Sequence, residues 1–308
     1  MPPMSPLAAS SPVRSAHLLP ILALTLNALV WGTSWWPFRR LEAAGLHPLW
    51  TTALVFGISG LVVLAWRPSA LGQLLRSRPL WLLALAAGTT NAAFNWAVVI
   101  GDVVRVVLLF YLMPLWAVLL ARVVLGERLT GRAALRVALS LAGAAIVLWP
   151  EGAGGSQAWP LPRSLADWLG VLGGFTFALN NVLLRREAEQ PEQARAFAMF
   201  LGGSLVALVL GLALPAGQVT PWPGAWPVGA IALVLGLSTV FLVSNFSLQF
   251  GAARLPANLT AVVMLTEVLF AAASSLAFGD GILGPRLVIG GTLIVAGAVL
   301  AALGPPSH

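Results

Sequence analysis

The sequence predicts an all-α integral membrane protein, with ten transmembrane helices arranged as two inverted five-helix repeats. Three observations carry this. Of 308 residues, 59% are hydrophobic and 9% charged, where ordinary soluble domains carry about 25% charge. Ten apolar runs are long enough to span a bilayer, each needing about 17–25 residues. The second half also repeats features of the first in the same order.

The first five runs are Leu18–Phe38, Pro48–Trp66, Leu80–Ile100, Val103–Leu125 and Ala133–Trp149. The run from Leu18 outlasts an ordinary signal-peptide core and meets no small-residue cleavage site, so it is expected to be retained as helix 1. A Gly/Pro-containing stretch then separates the halves. The second five are Trp168–Leu184, Ala196–Leu214, Val228–Phe250, Leu255–Phe278 and Leu287–Leu303. Alternating ten-residue barrel strands are absent, and lipid leaves no partner for the backbone of an open sheet, so each run is expected to be helical. Trp50, Trp66, Trp81, Trp149 and Trp168 fall near predicted helix ends and are expected to be interfacial anchors.

Charge sets the orientation. The net charge of +7 comes from 17 arginines and 10 acids, with no lysine. The arginines are scattered between apolar runs, which suits loops over anionic head groups rather than a nucleic-acid surface. With the N-terminus inside, twelve arginines fall at cytoplasmic ends and five outside, the split that the positive-inside rule favours. The expected division is a cytoplasmic tail (1–17), a first repeat (18–149), a periplasmic connector (150–167), a second repeat (168–303) and a short tail (304–308). Both termini are then cytoplasmic, in a bacterial inner membrane.

The internal repeat shows in matched landmarks. Asn95-Trp96 and Gly101 in helix 3 answer to Asn245-Phe246 and Gly251 in helix 8, a constant offset of 150. Helix 1 ends in Arg39-Arg40 and helix 6 in Arg185-Arg186. An odd number of helices per repeat inverts the second copy, and inverted repeats are the design of alternating-access transporters. One asymmetry stands out: Gly101 to Pro114 is three residues shorter than Gly251 to Glu267.

Trp31-Gly32-Thr33-Ser34, Pro114-Leu115, Leu125-Gly126-Glu127-Arg128-Leu129-Thr130 and Leu265-Thr266-Glu267 together resemble the drug/metabolite transporter superfamily. The likeness is to its ten-helix EamA-type members, and it spans nearly the whole chain. Within them the chain is most similar to YddG-type exporters of aromatic amino acids. The resemblance implies secondary transport without a cofactor. The four-helix multidrug relatives carry a coupling glutamate in their first helix. Here helices 1 and 6 contain no acid, which argues against that proton-antiport mechanism and toward facilitated or otherwise-driven export.

An ionisable residue inside a span is a site hypothesis. Glu267, near the middle of helix 9, is the sole acid so placed. It reads either as a proton-coupling or ammonium-binding carboxylate, or as a protonated side chain bonded to a neighbouring helix. Polar stripes follow helical spacing: Asn27, Trp31 and Ser34; Asn91 and Asn95; Thr176 and Asn180; Ser238, Phe241 and Asn245. Amides, hydroxyls and rings around one cavity suit a zwitterion with a flat apolar side chain. For any one asparagine, interhelical bonding is an equal reading. Tyr111, the only tyrosine, needs a partner for its hydroxyl at mid-membrane. Pro114 can kink helix 4.

Helices 1, 3, 4, 6, 8 and 9 are thus expected around a polar centre, with helices 5 and 10 outside. Gly170-x-x-x-Gly174 and Gly297-x-x-x-Ala301 permit close helix approach, the second at a dimer face, though a monomer suffices. Glu127, Arg128, Arg132 and Arg136 read as topology and gate residues. The three histidines lie at span ends or in the tail and cysteine is absent, so neither a metal site nor a nucleophile constellation is expected, and the chain is not read as an enzyme. Partners are then a small-molecule substrate and the lipid bilayer, with no nucleic acid. The leading function is export of aromatic and other neutral amino acids or related metabolites. The rivals are a multidrug or organic-cation exporter with Glu267 as countercharge, and a non-transporting membrane sensor or scaffold.

Overall fold

The computed structural model describes residues 12–126, 131–149, 162, 164–215, 217, 219, 226–278 and 284–302. Among them every regular element is a helix. In chain order these are α1 (Pro12–Ala43), α2 (Pro48–Trp66), α3 (Ser69–Arg76), α4 (Arg78–Ile100), α5 (Val103–Phe110) and α6 (Met113–Leu120). A π-helical turn (Ala121–Leu125) extends α6. There follow α7 (Gly131–Leu148), α8 (Leu165–Arg186), α9 (Glu192–Ala213), α10 (Val228–Arg254), α11 (Ala257–Met264), α12 (Glu267–Ala277) and α13 (Pro285–Ala302).

Among the described residues, six helical stretches are long and apolar enough to cross a membrane: 18–43, 48–66, 78–100, 105–125, 192–213 and 228–254. Their outward faces agree with that reading. Leu212, Val123 and Val228 are 72%, 81% and 84% exposed, a surface that water would penalise and lipid does not. The molecule is a multi-pass membrane protein. Local chemistry sets several helix starts. Pro48 opens α2, where the Nδ1 of His47 accepts from the Leu49 amide at 3.2 Å. Ser164 and Asp167 form a reciprocal capping box on α8.

Two spans are interrupted. Helix 4 is expected as one run but divides into α5 and α6, and helix 9 divides into α11 and α12. Pro114 sits in the first turn of α6, where its missing N–H and its ring preclude a bond to the carbonyl of Phe110. The chain tightens instead, with the Leu112 amide donating to the Leu109 carbonyl. Helix 9 has no proline at its break. There the Thr266 hydroxyl donates to the Val263 carbonyl at 2.9 Å, and the Thr266 and Val268 amides make three-residue rather than four-residue bonds.

Helix pairs form matched sets. α4 packs on α8 as α1 packs on α10; α5 and α6 pack on α8 as α11 and α12 pack on α1; α4 packs on α9 as α2 packs on α10. α7 lies along α13. Glycines permit the closest approaches. A Cβ at Gly170 would press on the Val106 carbonyl, and one at Gly174 would collide with the Phe110 carbonyl at the break in helix 4. A Cβ at Gly32 would meet the Glu267 carbonyl at 2.7 Å, at the break in helix 9. Between α4 and α9, Gly88 and Gly202 bring two backbones into direct contact. Such small-residue seams are how helices pack where the hydrophobic effect cannot drive association.

One sequence expectation changes. Trp50 is not an interfacial anchor: it is 7% exposed and packs its ring against Gly211 of α9, because the missing side chain there leaves room for an indole. Trp66, Trp81, Trp149 and Trp168 are exposed. Arg195 is buried, and its guanidinium donates toward the carbonyls of Leu184 and Glu187 where α8 ends, a position the helix dipole favours for a cation. Glu127 and Arg128, and the side chains of Arg132, Arg136, Gly297 and Ala301, lie outside the described residues.

Candidate functional site

A cavity lies where α1, α2, α4, α8, α9 and α10 converge. Its lining takes Asn27 and Trp31 from α1, Phe56 from α2, and Ala87, Thr90 and Asn91 from α4. Phe177 and Asn180 come from α8, Met199 and Phe200 from α9, and Phe241, Ser244, Asn245 and Leu248 from α10. Its volume is about 20 Å³, room for about one water molecule.

The polar groups are partly committed. Asn27 donates to the Ser244 carbonyl at 2.8 Å and to its hydroxyl at 2.6 Å, tying α1 to α10. Thr90 donates to the Thr176 hydroxyl at 2.9 Å, tying α4 to α8. The side-chain amides of Asn245 and Gln249 meet at 2.8 Å. The side-chain oxygens of Asn27 and Asn180 are buried with no partner among the described residues. A buried acceptor left so is costly, and each is available to a donor brought by a ligand.

Aromatic rings form the rest of the wall and connect it to the break in helix 4. Trp31 meets Phe241 at 4.8 Å and Phe94 at 5.5 Å; Phe94 meets Phe110 at 4.8 Å; Phe110 meets Phe177 at 5.3 Å. Phe56 bridges Phe241 and Phe200, at 5.4 and 5.8 Å. These edge-to-face and tilted contacts are favourable geometries for aromatic pairs.

Of the twelve residues singled out in the sequence, six lie on this lining: Asn27, Trp31, Asn91, Asn180, Phe241 and Asn245. The others lie elsewhere. Ser34 bonds back to the Trp31 carbonyl. Asn95 donates to Thr52 of α2 at 2.9 Å, Thr176 receives Thr90, and the Ser238 carbonyl receives Ser59 of α2. Tyr111 and Glu267 face each other at the two helix breaks. α5, α6, α11 and α12 thus give nothing to the lining, while α2 and α9 do. Phe56, Met199 and Phe200 carry no polar signal, and only the repeat relation of helix 2 to helix 7 could have drawn attention to them.

The two ends of the bundle are held differently. Where α1 and α4 finish and α5 and α8 begin, Arg105 grips Asp167 with two bonds of 2.8 and 3.0 Å. There Arg39 also donates to the carbonyls of Val98 and Gly101 and lies over the Trp35 ring. Where α8 and α10 finish and α9 begins, Arg185 donates to the Ala253 carbonyl at 2.9 Å, and Arg254 meets Glu192 only at 3.6 Å, both side chains solvated. A bidentate pair on a buried carboxylate is the stronger tie, and exposed pairs contribute little.

Residues 18–149 match the EamA-like transporter family. The match covers the first half of the chain and is to a family of membrane transporters. A protein of known crystal structure shares the fold along almost the whole length. The two are 24% identical with a TM-score of 0.68, over 93% of this chain and 97% of the other. No curated protein matches the chain. Neither match bears on the YddG-type subgroup.

Proposed function

We propose that the chain is a secondary exporter of aromatic and other neutral amino acids or related small amphipathic metabolites. It works by alternating access between two inverted repeats of five helices, in a bacterial inner membrane with both termini cytoplasmic. A monomer suffices for this. The observation that carries the reading is the narrow cavity between six helices, where amide oxygens of Asn27 and Asn180 without partners among the described residues sit among aromatic rings. The oxygens suit an ammonium group, and the rings suit a flat apolar side chain. The matched helix pairs support the inverted repeat, since the main packing contacts described above have counterparts when the two sets of five exchange places. A ligand of this class needs several times the present volume, so the walls must part on one side to admit it.

The experiment is flux through the purified chain in liposomes loaded with labelled L-phenylalanine or L-threonine. Release above that of empty liposomes is expected, with at least a tenfold loss in Asn180→Leu. Equal rates with and without protein for every amino acid tested would remove the substrate assignment. The organic-cation reading is weaker on this geometry, because Glu267 lies off the cavity lining. A sensor or scaffold has no use for costly buried amide oxygens left without partners, and this apolar-walled cavity has two in its lining.

A further inference from the structure

Glu267 opens α12 at the break in helix 9. It is 2% exposed, and its Oε1 has no partner among the described residues. Among the described residues no cation reaches it. Arg105 of α5 is engaged with Asp167, and Arg39 and Arg40 stack at the end of α1. α11 carries no titratable group, and Arg286 of α13 donates to the Trp149 carbonyl. The one titratable group facing it is Tyr111, from the break in helix 4.

Tyr111 has a single hydroxyl proton and two claimants for it. It donates to the Met264 carbonyl, one of the backbone groups at the break, at 3.3 Å, and the Glu267 carboxyl lies beside it. A protonated carboxyl is itself a donor, so the hydroxyl can accept from Glu267 while it donates to Met264. A carboxylate is an acceptor only. Loss of the proton therefore draws the Tyr111 hydroxyl to Glu267 and releases the Met264 carbonyl, and an unpaired carbonyl at this depth must find another partner by movement of the chain. One proton leaves and one hydrogen bond changes acceptor.

Two routes lead from here to the cavity. The Trp35 indole donates to the Ser274 hydroxyl at 2.9 Å, which donates to the Gly32 carbonyl at 3.0 Å. With Gly32 seated on the Glu267 carbonyl, this clasps α12 to α1, the helix that carries Asn27 and Trp31. On the other side Tyr111 abuts Phe110 at 6.0 Å, and Phe110 abuts Phe177 of the lining.

We infer that Glu267 is a proton-binding site separate from the substrate cavity, and that its loading, read by Tyr111, biases the packing of α12 on α1 and so the state of the cavity. The inference rests on the transporter reading for its purpose but not for its test. The chain has no cysteine, so spin labels can be placed uniquely at Glu42→Cys with Leu165→Cys at one end, and at Arg76→Cys with Glu189→Cys at the other. All four positions are exposed.

Distances are measured in the full chain in lipid nanodiscs at pH 5 and pH 9, without substrate. With Glu267 intact, at least one pair is expected to change its distance distribution between the two pH values. In Glu267→Gln the pH 5 distribution should hold at both, and in Tyr111→Phe the midpoint should shift by a unit or more. Identical distributions at both pH values with Glu267 present overturn the inference, as does an undiminished pH response in Glu267→Gln. Should Glu267→Gln not fold, the infrared carbonyl band of a protonated carboxyl in the unsubstituted chain decides: a band that titrates and is shifted in Glu267→Asp supports the site, and no titrating band overturns it. Failure of amino-acid flux leaves these outcomes unchanged.

Discussion

The breaks in helices 4 and 9 occupy corresponding places in the two halves, yet they are built by different means and carry different chemistry. In helix 4 a proline forces the interruption. In helix 9 a threonine hydroxyl bonds back to the chain and the turn tightens. Each break is seated on a glycine of the opposite half, Gly174 for the first and Gly32 for the second. The first break carries a hydroxyl, Tyr111, and the second the buried carboxyl of Glu267 that it faces. Similar interruptions of two helices thus do not require equal chemistry. One break is a fixed consequence of the imide ring, and the other rests on bonds that can be exchanged.

The largest test of this comparison is to fill the two seats. Gly174→Ala places a methyl group on the Phe110 carbonyl, and Gly32→Ala places one between the Glu267 carbonyl and Phe270. Each is expected to cost about 1–3 kcal/mol by overpacking, and Gly174→Ala the more, because its obstacle is closer backbone. Thermal unfolding in detergent would measure both, and a Gly174→Ala protein as stable as the parent would show that the seat is not tight. Next in size, Tyr111→Phe removes a hydroxyl that bonds across the breaks, at an expected cost of about 0.5–1.5 kcal/mol. The same melting curves would register it, and an unchanged midpoint would mean that the 3.3 Å bond contributes nothing. Smallest is Thr266→Val, which deletes the back-bond yet keeps the shape. A change under about 1 kcal/mol is expected, with the effect seen chiefly as slower amide exchange at Leu265 to Leu269 as the helix regularises. Faster exchange there would count against the account of how that break is made.

Much of this fold was legible because hydropathy is a strong signal in a membrane. The stretch Pro48–Trp66 stands in the structure with the same limits that the sequence suggested. Pro114 announced a disturbance in helix 4. Nothing announced the one in helix 9, since a threonine that bonds to its own helix is indistinguishable in sequence from one that does not. The site was legible only where it is polar. Asn27, Asn91, Asn180 and Asn245 were visible at helical spacing, but spacing cannot say whether an amide ends in a cavity or, like Asn95, on a neighbouring helix. Phe56, Phe177, Met199 and Phe200 line the cavity with side chains identical in kind to those that fill the core. Ser244 was hidden because its role depends on which residue of α1 lies opposite.

The contact between α4 and α9 has a mechanical consequence. At Gly88 and Gly202 the two backbones meet without intervening side chains; a Cβ on either glycine would fall on the carbonyl of Gly202 or of Ala84. Interiors packed this closely do not deform smoothly. Sliding one helix along the other by a fraction of a turn would drive carbonyl against Cα. With α4 and α9 packed along their length as well, the seam behaves as a rivet that holds the two helices in register.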